Sequence, residues 1–381
     1  MRISLGRRKS VSKNTNLLLF EITYFFLFAY AFFGHISPLT DILKTLSDVS
    51  LVLMVLLFFC HTKLEMRTIL LKMIPLLLLS SIFIFTSNSF IPFKTMLLII
   101  ASFGVDFDER IKFDLKMRFV FTALLIFLSQ TGIISNDAYL FKDGSDIVKY
   151  SLGFSSPNTL GMDVFIMCLE MVYLVGDKKK GLLVLIASAV FMISINIFTS
   201  SRTAIIAYII FVLLVLLYRC RKKFFDKKLV RKMIVFSPLI ITIVVTVFYF
   251  FLLNNPSIKQ VVDQYTSGRF TNARIFIDRF PISLFGNDIS ILNQTCDISV
   301  VYILYSFGII GASVYLIGFT KLLKFLYEKK EILLAIVFVG LFVYGIGEKL
   351  WLYPDYNIFM TIFSSIFIVE ARTKKGIKEN A

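Results

Sequence analysis

Three arginines stand five residues apart in the stretch Tyr265-Thr-Ser-Gly-Arg-Phe-Thr-Asn-Ala-Arg-Ile-Phe-Ile-Asp-Arg-Phe-Pro-Ile-Ser-Leu-Phe-Gly286: Arg269, Arg274 and Arg279. A guanidinium group is always charged and grips phosphate through paired donors, so the pattern points to anion recognition. A plainer alternative is surface pairing of Arg274 with Asp278 at i,i+4, which leaves Arg269 and Arg279 unaccounted for. Ser267-Gly268 predicts a helix start before Arg269, and Pro281 predicts its end. A fourth cation, Arg202, lies in the turn Ser200-Ser201-Arg202-Thr203, where the next helix begins. Free backbone N–H groups and the positive end of the helix dipole make that position a ready anion site. The alternative there is an arginine snorkelling to an interface.

Acids that could move a proton are few. Glu348, in Gly345-Ile-Gly-Glu-Lys-Leu-Trp351, falls near the end of an apolar run, where a carboxylate is costly and a functional candidate. Asp297 stands at the start of another run, as a proton acceptor or a helix N-cap. Glu21 and Glu170 are weaker candidates of the same kind. Asn158, in Gly153-Phe-Ser-Ser-Pro-Asn158, sits at a turn into a helix that Thr159 could cap. Asp106-Phe-Asp108 has a metal-holding spacing, but it reads as solvated charge balancing Arg110 and Lys112. Cys60, Cys168, Cys220 and Cys296 are scattered, without metal-type spacing. With no phosphate-binding glycine loop, no HExxH and only His35 and His61 as histidines, ATP-driven work and zinc catalysis lack support. Neither a metal nor a cofactor is expected.

These residues are embedded in a chain of 381 residues that is 57% hydrophobic, with mean hydropathy +0.81. Apolar runs of about 18–22 residues recur from end to end, each long enough to cross a bilayer core of about 30 Å. The expected fold is an all-α polytopic membrane protein of about twelve transmembrane helices, one integral membrane domain over residues 1–381. The basic start, Met1 to Lys13, is expected to lead into an uncleaved first helix. The expected helices are 17–34, 41–60, 68–86, 93–104, 117–134, 159–175, 182–198, 204–218, 233–253, 298–320, 332–350 and 357–369. The net charge of +16 reflects basic loops on one membrane side and not nucleic-acid binding. Most lysines and arginines fall in the alternate loops that share a side with both termini, 219–232 above all. The termini are therefore expected in the cytoplasm, and the 254–297 loop on the outer side with the 135–158 loop, the Arg202 turn and the Pro354 turn.

Four places in this sequence resemble the bacterial polysaccharide polymerase and O-antigen ligase superfamily. Gly153-Phe-Ser-Ser-Pro-Asn158 resembles its Gly-Phe-x-His-Pro-Asn turn. Ser200-Ser-Arg-Thr-Ala204 resembles its Ser-Arg-Thr/Gly-Ala helix start. Ser267-Gly-Arg269, continuing to Pro281 and Leu284-Phe-Gly286, resembles its Gly-Arg loop. Asp297-Ile-Ser-Val-Val-Tyr302 with Ser306-Phe-Gly-Ile-Ile-Gly311 resembles the start of its following helix. The resemblance spans about residues 150–350. It implies a cytoplasmic-membrane glycosyltransferase that polymerises undecaprenyl-diphosphate-linked oligosaccharide repeats for capsule, exopolysaccharide or O-antigen, with chain-length regulator and flippase proteins as partners. On that reading Arg269 and Arg274 act in catalysis with Glu348 or Asp297 as base, and Arg202, Arg279, Ser201 and Asn158 bind diphosphate or glycan. A lipid-linked oligosaccharide flippase is the rival from another class, although no internal repeat is visible. An O-antigen ligase is the rival within the superfamily. It is disfavoured because Gln294-Thr-Cys-Asp297 carries a carboxylate where ligases carry histidine.

Overall fold

The computed structural model describes residues 12–37, 39–60, 73–140, 148–292, 294–353 and 356–366. The loop around His61, the Pro354 turn and both terminal tails lie outside these residues. The described chain is all-α apart from one small hairpin, and its apolar helices make it a membrane protein. Among the described residues five helices are long and apolar enough to cross a bilayer, or six if one bent pair is a single span.

Chain contacts divide the molecule into two compact units. The first holds α1 (Ser12–Phe33), α2 (Leu39–Cys60), most of α3 (Ile74–Ser87), α4 (Ile91–Ala101), the start of α5 (Phe107–Gln130) and the 3-10 turn Ile358–Ile362. Here α1 packs on α2, and α4 packs on α2 and on the 3-10 turn. The charged stretch 107–116, ahead of the helix expected at 117–134, is the beginning of α5. Asp106 accepts the backbone N–H of Asp108 at 3.0 Å, and Asp108 and Glu109 occupy the first turn, where the helix dipole favours acids. Arg110 is fully buried and donates to the carbonyls of Thr361 at 2.6 Å and Val105 at 3.0 Å. Asp114 and Arg118 form a fully buried ion pair at 2.8 Å, completed by the Tyr24 hydroxyl on Asp114 at 2.7 Å and by Arg118 on the Tyr356 carbonyl at 3.0 Å. Buried charges persist when they are paired and hydrogen-bonded, and two of the acceptors here, the Thr361 and Tyr356 carbonyls, come from a segment more than two hundred residues further along the chain. Glu21 lies half-buried on α1, within electrostatic reach of Glu109 and Lys116.

The second unit, dominated by 122–351, carries the candidate site. Its axis is α6 (Pro157–Val175), of which 67% is buried, against 22% for the lipid-exposed α7 (Gly181–Thr199). Small polar groups join these helices, as in membrane interiors generally. Ser188 of α7 shares a hydrogen bond of 2.6 Å with Tyr208 of α8 (Arg202–Cys220), and its carbonyl accepts the Cys168 thiol of α6 at 3.4 Å. Glu170 is fully buried on α6. The short α9 (Lys222–Phe225) and α10 (Lys228–Val235) lead to α11 (Ser237–Leu253). The loop after α11 folds as α12 (Pro256–Tyr265) and α13 (Arg269–Arg279), followed by α14 (Ser299–Glu328) and α15 (Ile332–Tyr344).

This unit departs from the sequence expectation in several places: the 219–232 and 254–297 loops contain helices, and the helix expected at 332–350 ends at Tyr344. In the 135–158 loop, β1 (Ala138–Leu140) pairs antiparallel with β2 (Val148–Tyr150). And α14 continues past Thr320 through a stretch read as a basic loop, because Leu322, Leu323 and Leu326 bury one face while Lys321 and Lys324 stay outside.

Inside α14 the helix breaks at Gly308 (φ 67°, ψ −170°). The loop 283–287 plugs the break. Ile309 and Ile310 donate to the Ser283 and Leu284 carbonyls at 3.0 and 3.1 Å, and Asn287 donates to the Tyr305 carbonyl at 2.8 Å. Backbone groups freed inside an apolar helix must be re-satisfied in this way. Both glycines make the approach feasible: a Cβ on Gly286 would lie 1.9 Å from the Ser306 carbonyl oxygen, and one on Gly308 would lie 2.4 Å from that of Leu284.

Candidate functional site

The helix start at Arg269 forms as its turn residues dictate. Ser267 and Gly268 take left-handed conformations (φ 57° and 78°). Asp263 of α12 then accepts the backbone N–H groups of Phe270 at 3.0 Å and Thr271 at 3.2 Å, satisfying donors that a helix start leaves open. Phe270, Ala273 and Phe276 form the buried face of α13. A step of five residues turns a helix by about 140° beyond a full turn, so evenly spaced arginines cannot share a face. Arg269 points into the unit. Arg274 is exposed and pairs with Asp278 at 3.1 Å; it also lines an open cavity of about 330 Å³ with Lys259 and Gln260. Arg279 is exposed in the last turn of α13.

Arg269 meets partners from far along the chain. Its guanidinium donates to the Thr203 hydroxyl at the start of α8 and to the Glu348 carboxylate, and its Nε lies 3.9 Å from Asp297. Gly347 makes room, since a Cβ there would stand 2.7 Å from the guanidinium and 2.9 Å from the Thr203 oxygen. Asp297 and Glu348 come together because α14 and α15 are consecutive helices. One acid precedes the first and the other follows the second. Ser299 locks that juncture, its N–H on the Gly345 carbonyl at 3.1 Å and its hydroxyl on the Glu348 carbonyl at 2.8 Å. Trp351 folds back beneath, with its indole N–H on the Leu341 carbonyl at 3.0 Å and its ring stacked on Tyr315. Asp297 is not the cap of α14: Ile298 holds that position without a side-chain bond.

The other singled-out residues frame this cluster. Ser156 caps α6, accepting the Thr159 N–H at 3.2 Å, with Pro157 in the first turn and Asn158 half-buried beside it. Gly161, one turn on, packs against Ser201, which fills the space a side chain there would need. The two turns 153–161 and 200–204 are thus in contact. Ser201 is buried, and Arg202 donates to the Tyr265 carbonyl at 2.9 Å. Sequence reasoning passed over Thr203, Asp263 and Gly347. Their signals were a hydroxyl beside the Arg202 helix start, an acid ahead of Ser267-Gly268, and a glycine adjoining Glu348.

Burial pushes the Glu348 carboxyl up to about 7, against the pull of Arg269; Asp297 adds to the rise, and Lys349 and Lys149 oppose it. A carboxyl poised near neutral pH, touching a guanidinium and close to a second acid, can accept a proton while the cation steadies a neighbouring negative charge. Among the described residues no group of three or more His, Cys, Asp or Glu is arranged to hold a metal. No protein-family model matches this sequence, and no curated protein is similar enough to it to match.

Proposed function

We propose that the protein polymerises lipid-linked oligosaccharide repeats, moving a growing glycan from undecaprenyl diphosphate onto the next lipid-linked repeat outside the cytoplasmic membrane. The observation that carries this reading is the Arg269–Glu348–Asp297 cluster beside Thr203 and Arg202, where the segments resembling the polymerase superfamily converge. In the reaction an acceptor hydroxyl oxygen bonds to the anomeric carbon and gives its proton to Glu348, with Asp297 as the neighbouring acid. The bond from that carbon to the diphosphate breaks, and the electron pair leaves with the diphosphate. Negative charge grows on the leaving group, where Arg269 and Arg202 can stabilise it. Arg274 and Arg279 are exposed and, with Asn158, suit contacts to glycan or outer phosphate. A cluster of arginine and carboxylates held by loop helices and packed turns favours chemistry at one face over transport through a cavity between repeated halves.

Deletion of the gene followed by sizing of the surface polysaccharide tests the reading. Long chains are expected to collapse to single repeats and to return with the wild-type copy. Arg269→Ala, at normal protein level, is expected to restore about 10²–10³-fold less polymer synthesis, the cost of one preorganised contact to developing charge. Undiminished chain length in the deletion strain overturns the assignment.

A further inference from the structure

The segment between α8 and α11 carries a surface that the proposed reaction does not use. α10 is bent 66° from α11, and it has two apolar faces. Ile234 and Val235 are buried against the bundle, and Arg231 lies over the Tyr327 ring, 6.0 Å from its centroid. A second stripe, Leu229, Met233 and Phe236, follows the spacing i, i+4, i+7 on the outside, with exposures of 70%, 56% and 44%. Around it Lys223, Lys227, Lys228 and Lys232 are exposed, with Asp226 as the one acid between Arg219 and Lys232.

We propose that α10 is an interfacial helix that binds anionic phospholipid. It lies in the headgroup layer with Leu229, Met233 and Phe236 dipped towards the acyl chains and the lysine and arginine groups around lipid phosphates. Three observations carry this. First, the helix sits between apolar helices α8 and α11 and turns sharply from the latter, as a helix leaving a span for the membrane plane does. Second, the charges on α10 itself, Lys228, Arg231 and Lys232, are all positive, and cations near an anionic surface each add to binding. Third, a loop that only kept basic residues on one membrane side would need no outward apolar stripe, whereas interfacial helices combine a basic face with an apolar one. An acidic protein partner would be drawn by the charge but leaves the apolar stripe without a role in the bilayer.

The test uses the full chain in vesicles of phosphatidylcholine with and without phosphatidylglycerol. An environment-sensitive fluorophore is attached at Leu229→Cys after the four native cysteines are replaced by serine. Blue-shifted emission, quenched by nitroxide-labelled lipids, is expected. Water-like emission without lipid quenching overturns the proposal, including the case where a protein covers this face. In a second measurement phosphatidylglycerol is titrated against the purified protein and thermal unfolding is followed. Wild type is expected to be stabilised more by phosphatidylglycerol than by phosphatidylcholine. The triple change Lys228→Gln, Arg231→Gln and Lys232→Gln, all at exposed positions, is expected to weaken that response roughly fivefold per cation removed. An equal response to the two lipids, or an unchanged response in the variant, overturns it.

Discussion

Glu348 is held between opposing demands: burial favours its neutral form and Arg269 its charged form. If it takes the acceptor proton, synthesis per molecule should rise as pH passes through about 7, since only the deprotonated carboxylate accepts. Glu348→Gln should lower the rate and remove that rise. The same carboxyl affects stability with a definite sign. Its folded value lies above the unfolded 4.5, so between these values the folded chain binds more protons, and stability falls as pH climbs through the window. Thermal unfolding of wild type and Glu348→Gln between about pH 5 and pH 8 should show that slope in wild type and a flatter one in the variant. Arg274, by contrast, is exposed in a pair with Asp278, and Arg274→Ala should cost synthesis under about tenfold, mostly through substrate affinity. The arginines and both acids were legible in the sequence because charge stands out against apolar runs. Which arginine turns inward was not, for it depends on Phe270, Ala273 and Phe276 finding a core. Arg269's partners also lie 66 and 79 residues away in the chain.

At the scale of elements, the break in α14 is the feature most exposed to a simple test. Gly308 holds a backbone conformation open almost only to glycine, worth about 1–3 kcal/mol of strain for another residue, and Gly286 has no space for a methyl group. Gly308→Ala and Gly286→Ala should each reduce folded protein in the membrane, measured as thermal midpoint and as amount recovered. Gly132→Ala is the control: its φ is also positive, at 74°, but nothing stands within 4 Å, so its effect should be smaller. Helix starts at Pro157, Arg202 and Arg269 could be read from turn residues. The early start of α5 could not, because Arg110, Asp114 and Arg118 look solvent-bound until carbonyls from residues 356–361 and the Tyr24 hydroxyl are there to receive them. The β1–β2 pair could not be read either, because its strands are three residues each and lie amid polar residues.

For the whole molecule, the lysine and arginine distribution predicts that α12 and α13 face the outside of the cell and the α9–α10 segment the cytoplasm. Ser257 is exposed in the first turn of α12. Ser257→Cys, without the native cysteines, should react with a membrane-impermeant thiol reagent on intact cells; reaction only after lysis would reverse the orientation. Apolar content made the membrane class plain from the start, whereas counting spans was harder, because helices such as α15 are short and α14 is broken. That break also sets a length standard. Arg269 is fixed at one end by the Glu348 turn, and residues 283–287 are fixed at the other by the gap in α14. The chain between them works as a ruler with both ends pinned. One residue added or removed there shifts the guanidinium off its carboxylates or pulls the plug from the helix, while the same change on the far side of Asn287 has the surface turn 289–292 to absorb it. Sequence drift in this loop should therefore change letters before Gly286 and lengths after it.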